Sequence, residues 1–285
     1  MIYISSSCVK ANKIYESVKI LAENGFTNIE LSGGTILYDD LESDLLQLQD
    51  QFNLNYLCHN YFPPPEHAFV LNLASLDDEI YSLSFQHLLN SINLSHRLGA
   101  KKFAFHAGFL INIPINQIGK SIRSQNLFNR EEATLRFKQG VEKLIEHSHK
   151  IGLQLYIENN VLSQTNYTNF NETNPFLFTS SNSLADISIN GIQPLIDFAH
   201  LKVSCTVLGL DLKVELSNLI LKTDYIHLSD NDGVSDQNKE ILPSSDLYKL
   251  LSKADLSGKV ITLEIYDSLA KIKASENNLK TFLST

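Results

Sequence analysis

The sequence predicts one (β/α)8 TIM barrel, a closed ring of eight parallel strands surrounded by helices, as a single domain over residues 1–285. The chain of 285 residues is close to the roughly 250 residues that such a barrel needs. Short strand-like apolar runs alternate with longer runs of helical spacing along the whole chain. No shift in composition marks a linker, which favours one domain over two.

The first four strands are predicted from apolar runs that end at polar residues or turns. They are Ile2–Ser5, Asn28–Ser32, Leu54–His59 and Lys102–His106. Helices are predicted between them at 11–24, 41–52 and 75–98, where apolar residues recur at helical spacing and Gly25 and Gly99 end the first and third. Residues 107–129 contain Pro114 and are predicted as an active-site loop with one short helix.

The second half repeats the alternation. A helix is predicted at 130–150, begun by Asn129 as its N-cap and ended by Gly152. The remaining strands are Leu153–Glu158, Ile192–Asp197, Asp224–Leu228 and Lys259–Ile265. Helices are expected at 214–221 and 246–253. Residues 163–183 are rich in Asn, Thr and Ser, and we expect them to be too polar for the core and to form a lid over the strand ends.

Composition restricts the partners and the compartment. The formal net charge is −9, from 23 Lys and Arg against 32 Asp and Glu, and it repels phosphate polyanions, so nucleic acid is an unfavoured partner. The sequence has neither a signal-peptide pattern nor a membrane-spanning apolar run, so we expect a cytoplasmic protein without a membrane partner. Cys8, Cys58 and Cys205 suggest neither a disulfide framework nor a thiolate zinc site, and Cys58 is predicted as a core thiol. A homo-oligomer is left open.

Four strands end in a residue that can bind a metal. Because the carboxyl ends of barrel strands converge on one mouth, Glu158, Asp197, His227 and Glu264 are predicted to lie together. Three carboxylates and one imidazole are a complete ligand set for a divalent ion such as Mn²⁺, Zn²⁺, Mg²⁺ or Co²⁺. Any one of these residues alone has an ordinary structural explanation, but four at equivalent strand ends indicate a site.

Other polar residues fall near the same mouth with two interpretations each. His59 and His106 end the third and fourth strands and either bind metal or orient substrate. His200 lies three residues after Asp197 and can turn back to the cavity. Glu30 faces either the rim or a helix. The candidates for substrate contact are Asn159, Asp230, Asp232 and Lys239, and each of the first three could instead cap a loop or hold a turn.

These residues resemble the xylose isomerase-like TIM barrels, a group with sugar-phosphate isomerases and epimerases and with endonuclease IV-type enzymes. The resemblance covers nearly the whole chain. It rests on Ile157-Glu158-Asn159, Asp197-Phe198-Ala199-His200, the run from Ile226 to Asp232, and Leu263-Glu264. In the epimerases the equivalents of Glu158, Asp197, His227 and Glu264 bind one divalent metal, and the equivalent of His200 contacts substrate.

The endonuclease branch is similar at further positions. Its multi-zinc site also uses histidines after the third and fourth strands, and His59 and His106 in His106-Ala107-Gly108 look like those. It further uses an Asp-x-His after the seventh strand, where this chain has Asp236-Gln237-Asn238. The resemblance therefore implies a three-metal site with one ligand missing.

The leading hypothesis is a divalent-metal-dependent isomerase or epimerase of a sugar, sugar phosphate or related polyol. Proton transfer would pass through a metal-stabilised enediolate, with Glu158 and Glu264 on opposite sides of the carbon and His200 bonded to a substrate oxygen. One alternative is an endonuclease IV-like multi-zinc phosphoesterase that adds His59, His106 and Asp236 to the ligands. A second is a non-catalytic sugar-binding barrel.

Overall fold

The computed structural model describes residues 1–283, except for the side chain of Phe282. Eight parallel strands follow one another in chain order and close into a barrel, as predicted. They are β1 (Ile2–Ser5), β2 (Asn28–Leu31), β3 (Asn55–His59), β4 (Lys102–His106), β5 (Gln154–Glu158), β6 (Ile192–Asp197), β7 (Tyr225–Leu228) and β8 (Val260–Leu263). All eight predicted strands are therefore confirmed, with small differences at their ends.

The helices surround this barrel. They are α1 (Ile14–Glu23), α2 (Leu41–Phe52), α3 (Asp78–Arg97), α4 (Arg130–Lys150), α5 (Gln164–Asn169), α6 (Ser181–Ile187), α7 (Phe198–Leu208), α8 (Leu212–Ile220), α9 (Asp246–Leu251) and α10 (Leu269–Leu283). The six predicted helices are confirmed, and the loop after β4 contains the one short helix expected there, a 3-10 turn at Ile115–Gln117. None of the helices in the described part of the chain is long and apolar enough to cross a membrane.

Helix α7 was not predicted, and its position matters for the site. It follows β6 without a loop, and Asp197 is at once the last residue of β6 and the N-cap of α7. Seven of its eleven residues are buried, so apolar residues lie on all sides and the amphipathic period is absent. This direct connection turns His200 back towards the barrel mouth.

The lid prediction for residues 163–183 is wrong. The segment forms α5 and α6 and buries Phe170, Phe176 and Phe178, and Phe170 and Phe176 pack against isoleucines of the loop after β4 in a second small core. Its polar residues satisfy buried backbone groups, as when Asn166 Oδ1 accepts the Ile122 N–H at 2.8 Å. The described residues of this segment do not line the main cavity.

The barrel interior is filled below the mouth. Tyr3, Leu57, Tyr156, Leu195 and Tyr225 are buried together inside the strands. This apolar layer closes the barrel beneath the polar strand ends, so the mouth is a closed-bottomed cavity rather than a channel.

Candidate functional site

The predicted site residues lie at one level, at the floor of the mouth. His106 pairs with Glu158 across β4 and β5, and Asp197 pairs with His227 across β6 and β7. Glu264 follows β8 directly. Above them opens a cavity of about 740 Å³, which is within the range of roughly 300–1,000 Å³ usual for small-molecule sites.

Glu158 lies at the centre of the floor and contacts four imidazoles. Its Oε2 accepts the Nε2–H of His59 at 2.6 Å and lies 3.2 Å from His106 Nδ1. Its Oε1 lies 3.4 Å from His200 Nδ1 and 3.5 Å from His227 Nδ1. Burial raises the pKa of Glu158, but the charges of His106, His59 and His227 together lower it by more, so the pKa lies well below its usual value. The carboxylate is thus held in its charged form.

His227 is fully buried between carboxylates. Its Nδ1 lies 3.5 Å from Glu158 Oε1 and 3.7 Å from Glu264 Oε2, and its Nε2 lies 3.0 Å from Glu30 Oε1. Burial lowers the pKa of His227, but Glu30, Glu264 and Glu158 raise it well above its usual value. The pKa of Glu264 is raised by burial. His227 therefore lies among three carboxyl groups, those of Glu30, Glu158 and Glu264.

Asp197 is fixed by backbone contacts that leave one of its oxygens free. Its Oδ1 accepts the His200 N–H at 2.7 Å. Its backbone N–H donates to Asn159 Oδ1 at 2.7 Å, and its carbonyl accepts from Asn159 Nδ2 at 3.0 Å. Burial raises the pKa of Asp197 to about 7. The orientation of this carboxylate is therefore set before any ligand binds.

His200 is held with one ring nitrogen towards the cavity. Its Nδ1–H donates to the Asn159 carbonyl at 3.0 Å, and its Nε2 lies 3.3 Å from Asp236 Oδ2. Burial lowers the pKa of His200, but Asp197 and Asp236 raise it well above its usual value. An imidazole held in this way can donate a hydrogen bond to a ligand oxygen.

The floor fits a divalent cation. Four of the buried atoms that have no hydrogen-bond partner among the described residues belong to this site, namely Glu30 Oε1, His106 Nδ1, Asp197 Oδ2 and His227 Nδ1. Within each of three overlapping groups, donor atoms lie within 4.8 Å of one another: His59 with Glu158 and His227, His106 with Glu158 and His200, and Glu30 with His227 and Glu264. Carboxylate and imidazole lone pairs gathered in such groups are what a bound cation would satisfy. Asp197 is outside these three groups.

Four residues predicted to contact substrate are engaged elsewhere. Asn159 holds Asp197, as described above, and Asp230 accepts from Lys202 Nζ at 2.7 Å. Asp232 accepts the backbone N–H groups of Val234 and Ser235, at 2.9 and 3.0 Å, in an exposed turn. Lys239 pairs through its backbone with Asp230. None of these described side chains lines the cavity. Their contacts agree with the capping and turn interpretations, and substrate contact by these residues stays a prediction.

Other residues at the site were not assigned to it from the sequence, most of them because no clear pattern marked them. The strand alternation that buries Ile29 and Leu31 against helices also turns Glu30 into the barrel, which could have decided its position. By contrast, no periodic pattern marked the loop residues that line the cavity wall. Those with large apolar side chains are Tyr61, Phe69, Val70, Ile115, Ile118 and Tyr266. Cys58 is buried as predicted, and burial raises its pKa to about 12.

Comparisons with known proteins agree with this architecture. A family model described as xylose isomerase-like TIM barrel matches residues 18–282. A search of curated proteins finds no match.

Solved structures of similar shape cover almost the whole chain. A D-tagatose 3-epimerase-like protein has a TM-score of 0.73 at 18% identity, over 99% of this chain and 97% of that chain. A Thermus thermophilus protein soaked with ZnCl2 has a TM-score of 0.64 at 18% identity, over 99% and 98%. The 3-keto-D-glucoside 4-epimerase of E. coli has a TM-score of 0.65 at 12% identity, over 99% and 98%. At these identities the similarity establishes the fold.

Proposed function

The chain belongs to the xylose isomerase-like TIM-barrel family, and on that premise we propose that it is a divalent-metal-dependent epimerase or isomerase of a carbohydrate. The observation that carries this proposal is the pair of carboxylates that lie near the same ring nitrogen of His227. Glu158 Oε1 and Glu264 Oε2 lie 3.5 and 3.7 Å from its Nδ1, at the floor of the cavity. Structural neighbours named as sugar epimerases support the same reaction class.

Glu158, Asp197, His227 and Glu264 would hold the metal ion. A bound divalent cation supplies Lewis acidity, which lowers the cost of removing the proton beside a carbonyl group. The Oδ2 of Asp197 and the Nδ1 of His227 have no hydrogen-bond partner among the described residues, so these are the atoms of the two residues that would bind it.

Two side chains exchange the substrate proton. Glu158 and Glu264 enter the floor from β5 and from the residue after β8, so a substrate carbon between them has a carboxylate on each face. One carboxylate removes the proton and the other returns it, which inverts the carbon or moves the carbonyl by way of an enediolate. General acid–base assistance of this kind contributes typically about 10²–10⁴ in rate.

His200 orients the substrate. Because its Nδ1–H is occupied by the Asn159 carbonyl, its Nε2 is the ring atom that reaches a substrate oxygen. Asp236, 3.3 Å from that nitrogen, is placed to keep it protonated as a donor. A donor at this position stabilises negative charge that develops on the oxygen.

The test is deuterium exchange. Manganese-loaded protein is incubated with a panel of ketopentoses and ketohexoses in D₂O, and exchange at the carbon beside the carbonyl is followed by NMR. We expect exchange and a new sugar with wild-type protein, and loss of both in Glu158→Gln and Glu264→Gln. Glu42→Gln, which removes a charge from an exposed pair with Arg97, is the matched control. If the wild type binds sugar but shows no exchange, the proposed reaction is refuted and the protein is a non-catalytic sugar-binding barrel.

A second candidate, a multi-zinc phosphoesterase, is favoured by one observation. His59 and His106 both lie against Glu158 Oε2, at 2.6 and 3.2 Å, where a further zinc could share that carboxylate. Asn238 stands where that branch uses a histidine, and its Oδ1 instead accepts from Ser229 Oγ at 3.1 Å. Metal content separates the candidates: one ion per chain, unchanged in His106→Ala, favours the epimerase, and two or three zinc ions that fall on mutation favour the phosphoesterase.

A further inference from the structure

We propose that the substrate is a carbohydrate that carries an apolar group, seated on one side of the cavity. This deepens the proposed function and rests on it. The side in question, called here the apolar wall, consists of Tyr61, Phe69, Val70, Ile115, Ile118 and Tyr266. It is built from the loops after β3, β4 and β8.

The apolar wall is exposed to the cavity. The exposed fractions of Ile115, Ile118 and Tyr266 are 52%, 44% and 51%. Large apolar side chains that face water in a concave site gain free energy when a ligand covers them. Because these residues line the same cavity as Glu158 and His200, a ligand held at the floor can reach them.

Polar and apolar side chains both line this cavity. The ionisable ones are those of Lys10, His59, His106, Glu158, His200, Asp236 and Glu264, whereas the apolar wall offers mostly carbon. A sugar with free hydroxyls on every carbon would lose hydrogen bonds to water against that wall. An alkyl or aryl group attached to the sugar would instead bury carbon against carbon, with the polyol on the floor.

Alkyl hydroxamates of increasing length test this inference, because a hydroxamate chelates divalent cations and carries a tail of chosen length. Binding of acetohydroxamate and hexanohydroxamate to manganese-loaded protein is measured by calorimetry. A buried methylene contributes about fourfold in affinity, so we expect the longer probe to bind at least about tenfold more tightly. In the double variant Ile115→Ser/Ile118→Ser this preference should fall at least about threefold.

The control is Val214→Ser/Leu221→Ser, which removes two exposed apolar side chains (54% and 83% exposed) far from the cavity and should leave the preference unchanged. Equal binding of both probes, or an unchanged preference in the Ile115/Ile118 variant, would overturn the apolar-wall inference alone. Absence of any hydroxamate binding would overturn the proposed metal site as well.

A second inference comes from beneath the floor: the geometry points to Glu30 as the positioning residue of His227. Glu30 is fully buried, and its Oε1 and Oε2 lie 3.0 and 3.1 Å from His227 Nε2. Its Oε2 also accepts from the Thr262 hydroxyl at 2.9 Å and from the Tyr225 hydroxyl. Both Glu30 oxygens lie against Nε2 of His227, whereas Glu158 and Glu264 lie near its Nδ1, so Glu30 acts on the site through His227.

This contact selects one nitrogen of the ring. When Nε2–H donates to Glu30, the lone pair of His227 is on Nδ1, which faces Glu158 and Glu264. The two hydroxyl donors hold the Glu30 carboxylate in place. Partners of this kind fix the tautomer of a metal-binding histidine, and their loss typically weakens metal affinity about 10–100-fold.

Cobalt binding to metal-free protein tests this role without any assay of activity. In Glu30→Gln we expect cobalt affinity to fall about tenfold or more and the visible absorption of the bound ion to change. The matched control is Glu215→Gln, a carboxylate that is also buried but bonds Ser181 N and Oγ at 2.6 and 2.9 Å. It should leave affinity and spectrum unchanged.

Thr262→Val removes one donor to Glu30 with little change of volume, so it is the second variant if Glu30→Gln does not fold. It should weaken cobalt binding severalfold. Wild-type affinity and spectrum in the folded Glu30→Gln or Thr262→Val protein would refute the positioning role. Failure of the wild type to bind cobalt would refute the proposed metal site instead.

Discussion

Metal binding should stabilise this protein, and Asp197→Asn should abolish most of that effect. Asp197 serves two purposes that the substitution separates. Its Oδ1 caps α7 by accepting the His200 N–H at 2.7 Å, while its Oδ2 is buried without a partner among the described residues. Asparagine caps a helix as well as aspartate does, but it removes the negative charge at the free oxygen. The substitution therefore tests the role of Asp197 as a metal ligand and keeps the N-cap of α7.

The expected magnitude follows from mass action. A cation at about 100 times its dissociation constant stabilises the folded state by about 2.7 kcal/mol. For a chain of this size, that corresponds to a rise in Tm of roughly 4–6 °C. Since Asp197 would supply one of the four proposed ligands through its free Oδ2, removal of its charge should lower the affinity enough to reduce the rise to about 2 °C or less.

The assay is calorimetry of chelator-stripped protein with and without Mn²⁺, Co²⁺, Zn²⁺ or Mg²⁺. Asp211→Asn is the matched control, because Asp211 also caps a helix, accepting the Val214 N–H at 3.1 Å, and α8 is away from the floor. It should keep the full metal-dependent rise. A full rise in Asp197→Asn, or no rise in the wild type with any of the four ions, would refute the reasoning.

Three further predictions concern single residues. Glu264→Gln should lower kcat about 10²–10⁴-fold with the wild-type fold retained by circular dichroism; turnover within tenfold of wild type would count against a proton-transfer role. Burial lowers the pKa of His87 to about 4, so the folded state keeps it neutral and its contribution to stability is lost as pH falls from about 6.5 to 4. Denaturant titrations over this range should show that the free energy of unfolding falls by up to about 3 kcal/mol through this residue. His87→Gln should lack that part of the loss. Gly108→Ala should destabilise the protein by about 1–3 kcal/mol, because the added Cβ would lie 2.5 Å from the Cβ of Ala74. A free energy of unfolding equal to that of the wild type would show that the loop moves to accommodate the methyl group.

The sequence predicted the barrel because its strongest signals are local. Each strand is a short apolar run and most helices have one apolar face, so period and turn residues identify them. The strand ends then place Glu158 and His227 at one mouth by topology alone. Helix α7 escaped detection because its buried residues surround its axis. Residues 163–183 were misjudged because their many amides and hydroxyls bond buried backbone groups, a role that composition does not reveal.

The number of metal ions distinguishes the two proposed functions, the epimerase and the multi-zinc phosphoesterase. Glu158 would be a metal ligand in both. On one side its Oε1 lies near Nδ1 of His227, which Glu264 also approaches. On the other side its Oε2 lies near His59 and His106. Under the proposed epimerase function, the first side alone would be a proton-transfer site with one cation. If the second side also held a cation, Glu158 would serve as a ligand on both sides and would not be free to remove a proton. His59→Asn with His106→Asn should therefore lower the metal content and abolish catalysis in a phosphoesterase. In an epimerase it should leave one ion per chain and slow exchange only through the two lost contacts with Glu158.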